Sequence, residues 1–165
     1  MRTIALLRGI NVGGHNKLPM AELRALCAEL GFGDAKTYIQ SGNVAFDAEG
    51  EVAERLRAGI EARFGLRVPV VVRTREQVAA AMAANPLPVD DKMLHLIFLD
   101  RVVDGSALDP NRSPGDVFEV HGDVIYVRYG VASHMSKLTI GWFEKQLGCT
   151  ATARNWRTVG KLLTL

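Results

Sequence analysis

The chain has 165 residues, with 20 Lys and Arg against 18 Asp and Glu, a formal net charge of +2 and a pI near 8.7. Its 48% hydrophobic content supplies a sizeable core and excludes a disordered chain, and the near-balanced charge falls below the basic signature of a dedicated nucleic-acid domain. Two distant cysteines, Cys27 and Cys149, give neither a disulfide framework nor a zinc site, and no run approaches the roughly 20 apolar residues that span a bilayer, so a cytoplasmic protein without membrane contact is expected.

The run Thr3 to Leu7 is short, apolar and closed by Arg8-Gly9, which reads as a buried first strand rather than a leader peptide. A Gly-rich loop follows. Pro19 suits a helix start, and Met20, Leu23, Leu26, Cys27 and Leu30 recur at helical spacing until Gly31. Thr37 to Gln40 and Val44 to Phe46 form a hairpin about Ser41-Gly42-Asn43, with Asn43 able to take a positive φ. Val52, Leu56, Ile60 and Phe64 mark a second helix ended by Gly65, and the β-branched run Val68 to Val72 is a strand that Pro69 assigns to an edge. Thr74 with Gln77 is a capping box opening an Ala-rich helix to about Ala84.

Asn85-Pro86-Leu87-Pro88 is the best boundary in the chain, so residues 1–84 are expected as a first unit plus connecting helix and 85–165 as a second unit. In the second, Leu94 to Leu99 is a strand and residues 101–108 hold a short helix. Val117 to Val120 and Val124 to Val127 are strands joined at Gly122-Asp123, where Gly in the first central position signals a type II′ turn. A helix from Lys137 to Leu147, an extended piece at Thr150 to Ala153 and a helix from Asn155 complete the order. The fold class expected is α+β, as two ferredoxin-like βαββαβ units in a duplicated architecture, each an antiparallel sheet with helices packed on one face.

In such a unit the loop after the first strand and the hairpin after the second leave the sheet at one end. That end gathers Arg8, Asn11, Gly13, Gly14, Lys17, Gln40, Ser41 and Asn43, a polar cluster poor in acids and suited to an anion. The loop is not a Walker A motif, because His15 follows Gly14 and Lys17 precedes no Ser or Thr. A second cluster, Ser136 and Lys137 with Arg154, Asn155 and Trp156, lies at element ends of the second unit. Within it Asn155 is placed to cap the last helix and Trp156 to pack. If the two clusters share one cleft, Arg154 adds a planar donor fork and Trp156 an aromatic cover for a base. His15, His95, His121 and His134 lack metal-ligand spacing and read as surface or packing residues, Cys27 reads as core, and nothing calls for a metal or a cofactor.

The run Arg8-Gly-Ile-Asn-Val-Gly-Gly14, then Lys17, Pro19-Met-Ala-Glu-Leu-Arg24 and Tyr38-Ile-Gln-Ser-Gly-Asn43, resembles the DUF1697 family, a bacterial domain of unknown function. Ser136-Lys137-Leu138 and Thr152-Ala-Arg-Asn-Trp156, followed by Thr158 and Lys161, are similar to that family's closing motif. His15 stands where relatives often have Lys. The resemblance implies a duplicated ferredoxin-like fold and brings no established activity. The clusters favour a phosphate-bearing ligand, a nucleotide, small molecule or nucleic-acid segment. An enzyme acting on an anionic substrate and a protein-interaction module are the alternatives, and the oligomeric state is left open.

Overall fold

The computed structural model describes residues 1–130 and 133–165. By internal contacts the chain divides into two units, Met1–Ala79 with Lys161–Leu165, and Ala80–Gly160. The architecture is α+β, with two four-stranded antiparallel sheets and, among the described residues, five α-helices.

The first unit runs β1 (Arg2–Leu7), α1 (Met20–Glu29), β2 (Gly33–Tyr38), β3 (Asn43–Asp47), α2 (Val52–Phe64) and β4 (Val70–Thr74), with sheet order β2-β3-β1-β4. Ala5 and Leu7 of β1 bury against Leu23, Leu26 and Cys27 of α1 and Leu56 and Ile60 of α2, while Phe32 stacks on Phe46 at 4.6 Å. Each of the Leu, Ile and Phe side chains contributes about 1.5–3 kcal/mol on burial. Burial also raises the Cys27 thiol to about 11, so it packs as a small hydrophobe. Gly65 ends α2 in the left-handed conformation, and Pro69 leads into β4, an edge strand that needs no donor from it.

At Thr74 the capping box forms reciprocally: the Gln77 amide donates to Thr74 Oγ1 at 3.1 Å and the Thr74 amide to Gln77 Oε1 at 2.9 Å. It opens α3 (Arg75–Ala83), and the division between units falls inside this helix.

The second unit contains β5 (Leu94–Leu99), β6 (Val117–His121), β7 (Val124–Arg128), a 3-10 turn (Ser133–Met135), α4 (Ile140–Leu147) and β8 (Ala151–Asn155). Its sheet order is β6-β7-β5-β8, and α5 (Trp156–Leu162) follows. Ile97, Leu99, Ile125 and Val127 meet Leu138 and Phe143 in its core. His121 pairs with Val124 across Gly122-Asp123; φ is +66° at Gly122 and not positive at Asp123, the signs a type II′ turn requires.

Residues 101–108 form no helix. Asp104 accepts from the Ser106 amide at 2.9 Å, so a local side-chain turn takes a backbone donor a helix would use, and Asp109 makes a similar turn just beyond with the Asn111 amide at 2.9 Å. In the first hairpin the left-handed positions are Ile39 (+50°) and Gly42 (+95°), not Asn43, whose side chain is fully buried.

Candidate functional site

The end of the first sheet where β1 finishes and β3 begins is closed by three backbone segments. The Leu7 amide donates to Gly42 O at 2.8 Å, and the Arg8 amide to Pro69 O at 3.1 Å. Residues 9–17 then fold back on themselves. Val12 and His15 bridge across Gly13-Gly14, both with positive φ, and the Asn11 amide reaches Asn16 O at 3.1 Å. Two successive left-handed residues between bridged partners make a type I′ turn, which is why this tip is Gly-Gly. Asn16 steadies the base by donating to Gly9 O at 3.0 Å.

Asn11 joins this loop to the hairpin. Its Nδ2 donates to Leu18 O at 2.9 Å and to Gln40 O at 2.8 Å, and its Oδ1 accepts from the Leu18 amide at 2.8 Å. Both amide hydrogens and the oxygen are thereby engaged. Asn43 is likewise internal, donating to Tyr38 O and Ser41 Oγ at 3.1 Å each. These two amides build the site's walls.

A pocket of about 410 Å³ opens between the loop and the hairpin, lined by Asn11, Gly14, Lys17, Pro19 and Gln40. Lys17 and Gln40 are exposed, and the Lys17 ammonium makes no ion pair or hydrogen bond with any described residue. Arg8, Gly13, Ser41 and Asn43 do not line this pocket. A second hollow of about 410 Å³ shares Pro19 and Gln40 and extends past Ile39 to Arg24, which donates to Thr37 Oγ1. Ile39, half exposed in a conformation that β-branched residues rarely adopt, went unnoticed in the sequence because nothing in Tyr38-Ile39-Gln40 marks a turn. Glu22 stands in the first turn of α1, an acid close to a region expected to be free of them.

In the second unit the expected cluster separates into structural roles and exposed side chains. Ser136 is buried and donates to Asp116 Oδ2 at 2.7 Å, as Ser113 does, while Asp116 Oδ1 accepts from the Gly130 amide at 2.7 Å. Asp116 was missed by pattern reasoning, although Ser113-Pro114-Gly115-Asp116 has the composition of a type II turn. The Asp116 amide closes that turn on Ser113 O at 3.0 Å. Asn155 caps α5, its Oδ1 accepting from the Thr158 amide at 2.9 Å. Arg154 Nη1 donates to Thr152 Oγ1 and Ala153 O at 2.8 Å each, and burial pulls its guanidinium down to about 10, still charged at neutral pH. Lys137 is exposed and Trp156 half-buried at the first position of α5.

His95 packs edge-on against Tyr129 with ring centroids 5.0 Å apart, and burial lowers its pKa below the ordinary 6.5, partly offset by the Met93 backbone. A neutral folded imidazole means that the unfolded chain takes up the proton first on acidification. Stability is therefore expected to fall as pH drops through 6.5 towards the lower folded value. Melting temperatures between about pH 7.5 and 5 should show a slope that His95→Gln reduces; an identical slope in the variant assigns it to another group.

Among the described residues no group of three or more His, Cys, Asp or Glu is gathered to hold a metal, and no helix is long and apolar enough to cross a membrane. The family described as "Protein of unknown function (DUF1697)" matches residues 1–126. The solved structure of conserved bacterial protein SP0830 from Streptococcus pneumoniae is similar, with a TM-score of 0.72 over 99% of this chain and 97% of that one. Its 23% identity extends the likeness to the fold alone. No curated protein matches the chain.

Proposed function

We propose that this chain, which belongs to the DUF1697 family, binds a phosphate-bearing ligand, a nucleotide or a nucleic-acid segment, where residues 9–17 meet the hairpin at Gln40. The observation that supports it is the Asn11 bridge. By bonding Leu18 O and Gln40 O with one side chain, Asn11 holds an otherwise unpaired Lys17 and the Gln40 amide on the rim of one pocket beside the Gly-Gly turn. A free ammonium with a neighbouring amide and accessible backbone N–H groups is the donor set a phosphate takes. Asn11 and Asn43 serve this reading as scaffold. In the second unit Ser136, Arg154 and Asn155 are engaged within the fold, which leaves Lys137 and Trp156 as separate ligand candidates of that unit.

We infer further that each unit is a ferredoxin-like element. Both sheets have the same strand order, and the first follows strand, helix, strand, strand, helix, strand; in the second, turns replace the first helix. The two free cysteines accord with a cytoplasmic setting.

The test uses ATP and a single-stranded oligonucleotide at low and moderate salt. Lys17→Ala is expected to weaken binding and to lower the slope of log affinity against log salt by about 0.7, one phosphate contact on a single strand. Gln40→Ala is expected to weaken binding while leaving that slope intact. Neither exposed substitution should move the melting temperature by more than about a degree. No binding of either probe by the parent chain, or the same salt slope after Lys17→Ala, removes the proposal.

A further inference from the structure

The second unit leaves a strand edge open that the first unit's architecture would lead one to find beside a helix. In Met1–Ala79 the helix α1 joins the first two strands and packs on β2, whereas in Ala80–Gly160 residues 100–116 make the same connection through turns at Asp104 and Asp109. Beside β6 this leaves a groove of about 540 Å³. Its apolar surface comes from Val103, Leu108, Pro110, Phe118 and Val120. Asp104 and Glu119, both exposed, are the charged residues lining it, and no Lys or Arg does so among the described residues.

The strand beside the groove has free hydrogen-bonding capacity of a definite register. β6 is the terminal strand of the order β6-β7-β5-β8. His121 and Val124 flank a two-residue turn and are therefore a hydrogen-bonded pair; because such pairs alternate along an antiparallel ladder, Glu119↔Tyr126 and Val117↔Arg128 are hydrogen-bonded as well. Phe118 and Val120 consequently turn their N–H and C=O groups to the outer edge. No described residue supplies a backbone partner there. Val117, 52% exposed, adds apolar surface on the same strand.

We propose that this edge takes an extended, basic segment of a partner protein, which adds a strand to β6, sets apolar side chains in the groove beside Phe118 and Val120, and places an Arg or Lys side chain on the other face beside Glu119, whose carboxylate also holds His121 Nε2 at 3.3 Å. An extended segment supplies the alternating backbone groups that Phe118 and Val120 lack, which a helix cannot do because its own amides are used internally. Charge selects the sign of the side chain, since an acidic one in that place would meet the Glu119 carboxylate. It also disfavours a second copy of this chain: two β6 strands paired antiparallel about Glu119 would set carboxylate against carboxylate.

A fluorescein-labelled hexapeptide alternating Val and Arg, capped at both ends, is titrated into the full chain and followed by anisotropy, with the same peptide carrying Glu for Arg as control. The Arg peptide is expected to bind and the Glu peptide not. Glu119→Lys, an exposed change checked by an unaltered melting temperature, is expected to weaken the Arg peptide at least about tenfold, and Phe118 and Val120 amide resonances should shift on binding. Lys17→Ala should leave this titration unchanged, which separates it from the phosphate site. No binding of the Arg peptide, equal binding of both peptides, or an unchanged affinity in Glu119→Lys overturns the proposal. A dimer of the parent chain that Glu119→Lys dissolves also overturns it, by assigning the edge to a second copy.

Discussion

Replacing Gly42 by alanine is expected to destabilise the chain by about 2–4 kcal/mol, because two penalties act at one position. Its φ of +95° lies where side chains are strained, and a Cβ there would sit 2.8 Å from Leu7 Cβ, 3.1 Å from Leu7 O and 3.2 Å from Ile10 Cδ1. Neither residue can retreat: Leu7 is fully buried in the central strand of the first unit and Ile10 is 1% exposed. The Gly42 carbonyl also accepts from the Leu7 amide, so any shift of the turn loosens the joint between β1 and the hairpin. Gly14→Ala is the control. It has a φ of +76° but nothing within 4 Å of the added carbon, so only the conformational term applies, about 1 kcal/mol. Urea midpoints at a common m-value should show Gly42→Ala losing at least about twice as much as Gly14→Ala. Equal losses would mean that the hairpin relaxes around the added methyl.

The same contrast explains what the sequence made legible. Helical spacing in Val52, Leu56 and Ile60 with Gly65 behind it, and the reciprocal cap of Thr74 and Gln77, are signals whose physics is complete within a few residues. Pro69 placed its strand at an edge for an equally local reason. Residues 101–108 misled because their apolar content resembles a short helix, while within them Asp104 bonds its own turn, a competition that composition leaves undecided.

At the candidate site, residue type identified the polar side chains but not their duties. Asn11 and Asn43 looked like ligand donors because amides suit phosphates, yet the Nδ2 of each donates to loop carbonyls or a neighbouring hydroxyl, and Asn11 Oδ1 accepts from the Leu18 amide. That choice depends on where the chain returns in space, since Asn11 and Gln40 are 29 positions apart. Lys17, with no such partner, is the kind of residue whose purpose lies outside the fold. Ile39 is the reverse case, an apolar residue held exposed and left-handed by the turn around it, with no pattern in its neighbours to announce it.

Ser136 decides whether the second cluster is read as chemistry or as architecture, and Asp116 is the residue through which to ask. One buried carboxylate holds the Gly130 amide and the hydroxyls of Ser113 and Ser136 at 2.7 Å each, and through them the segment leading to α4. The Lys137 amide rests on Ser113 Oγ at 3.3 Å and the Leu138 amide on Ser136 Oγ at 2.9 Å. Hydrogen bonds to a charged acceptor contribute about 1.5–3 kcal/mol each, and the two hydroxyls can partly re-pair with each other. Asp116→Ala is therefore expected to cost about 3–5 kcal/mol. Asp116→Asn keeps the shape and an oxygen for the Gly130 amide, while its NH₂ can donate to both serine oxygens, so it should recover most of that loss. Ser136→Ala removes one donor and orphans the Leu138 amide, for about 1–2 kcal/mol. If Ser136 is architectural, these three losses order as stated in chemical denaturation and ATP binding per folded molecule is unchanged in Ser136→Ala. A Ser136→Ala chain of parental stability that has lost ligand affinity would reverse the assignment, making Asp116 the group that orients a ligand-facing hydroxyl.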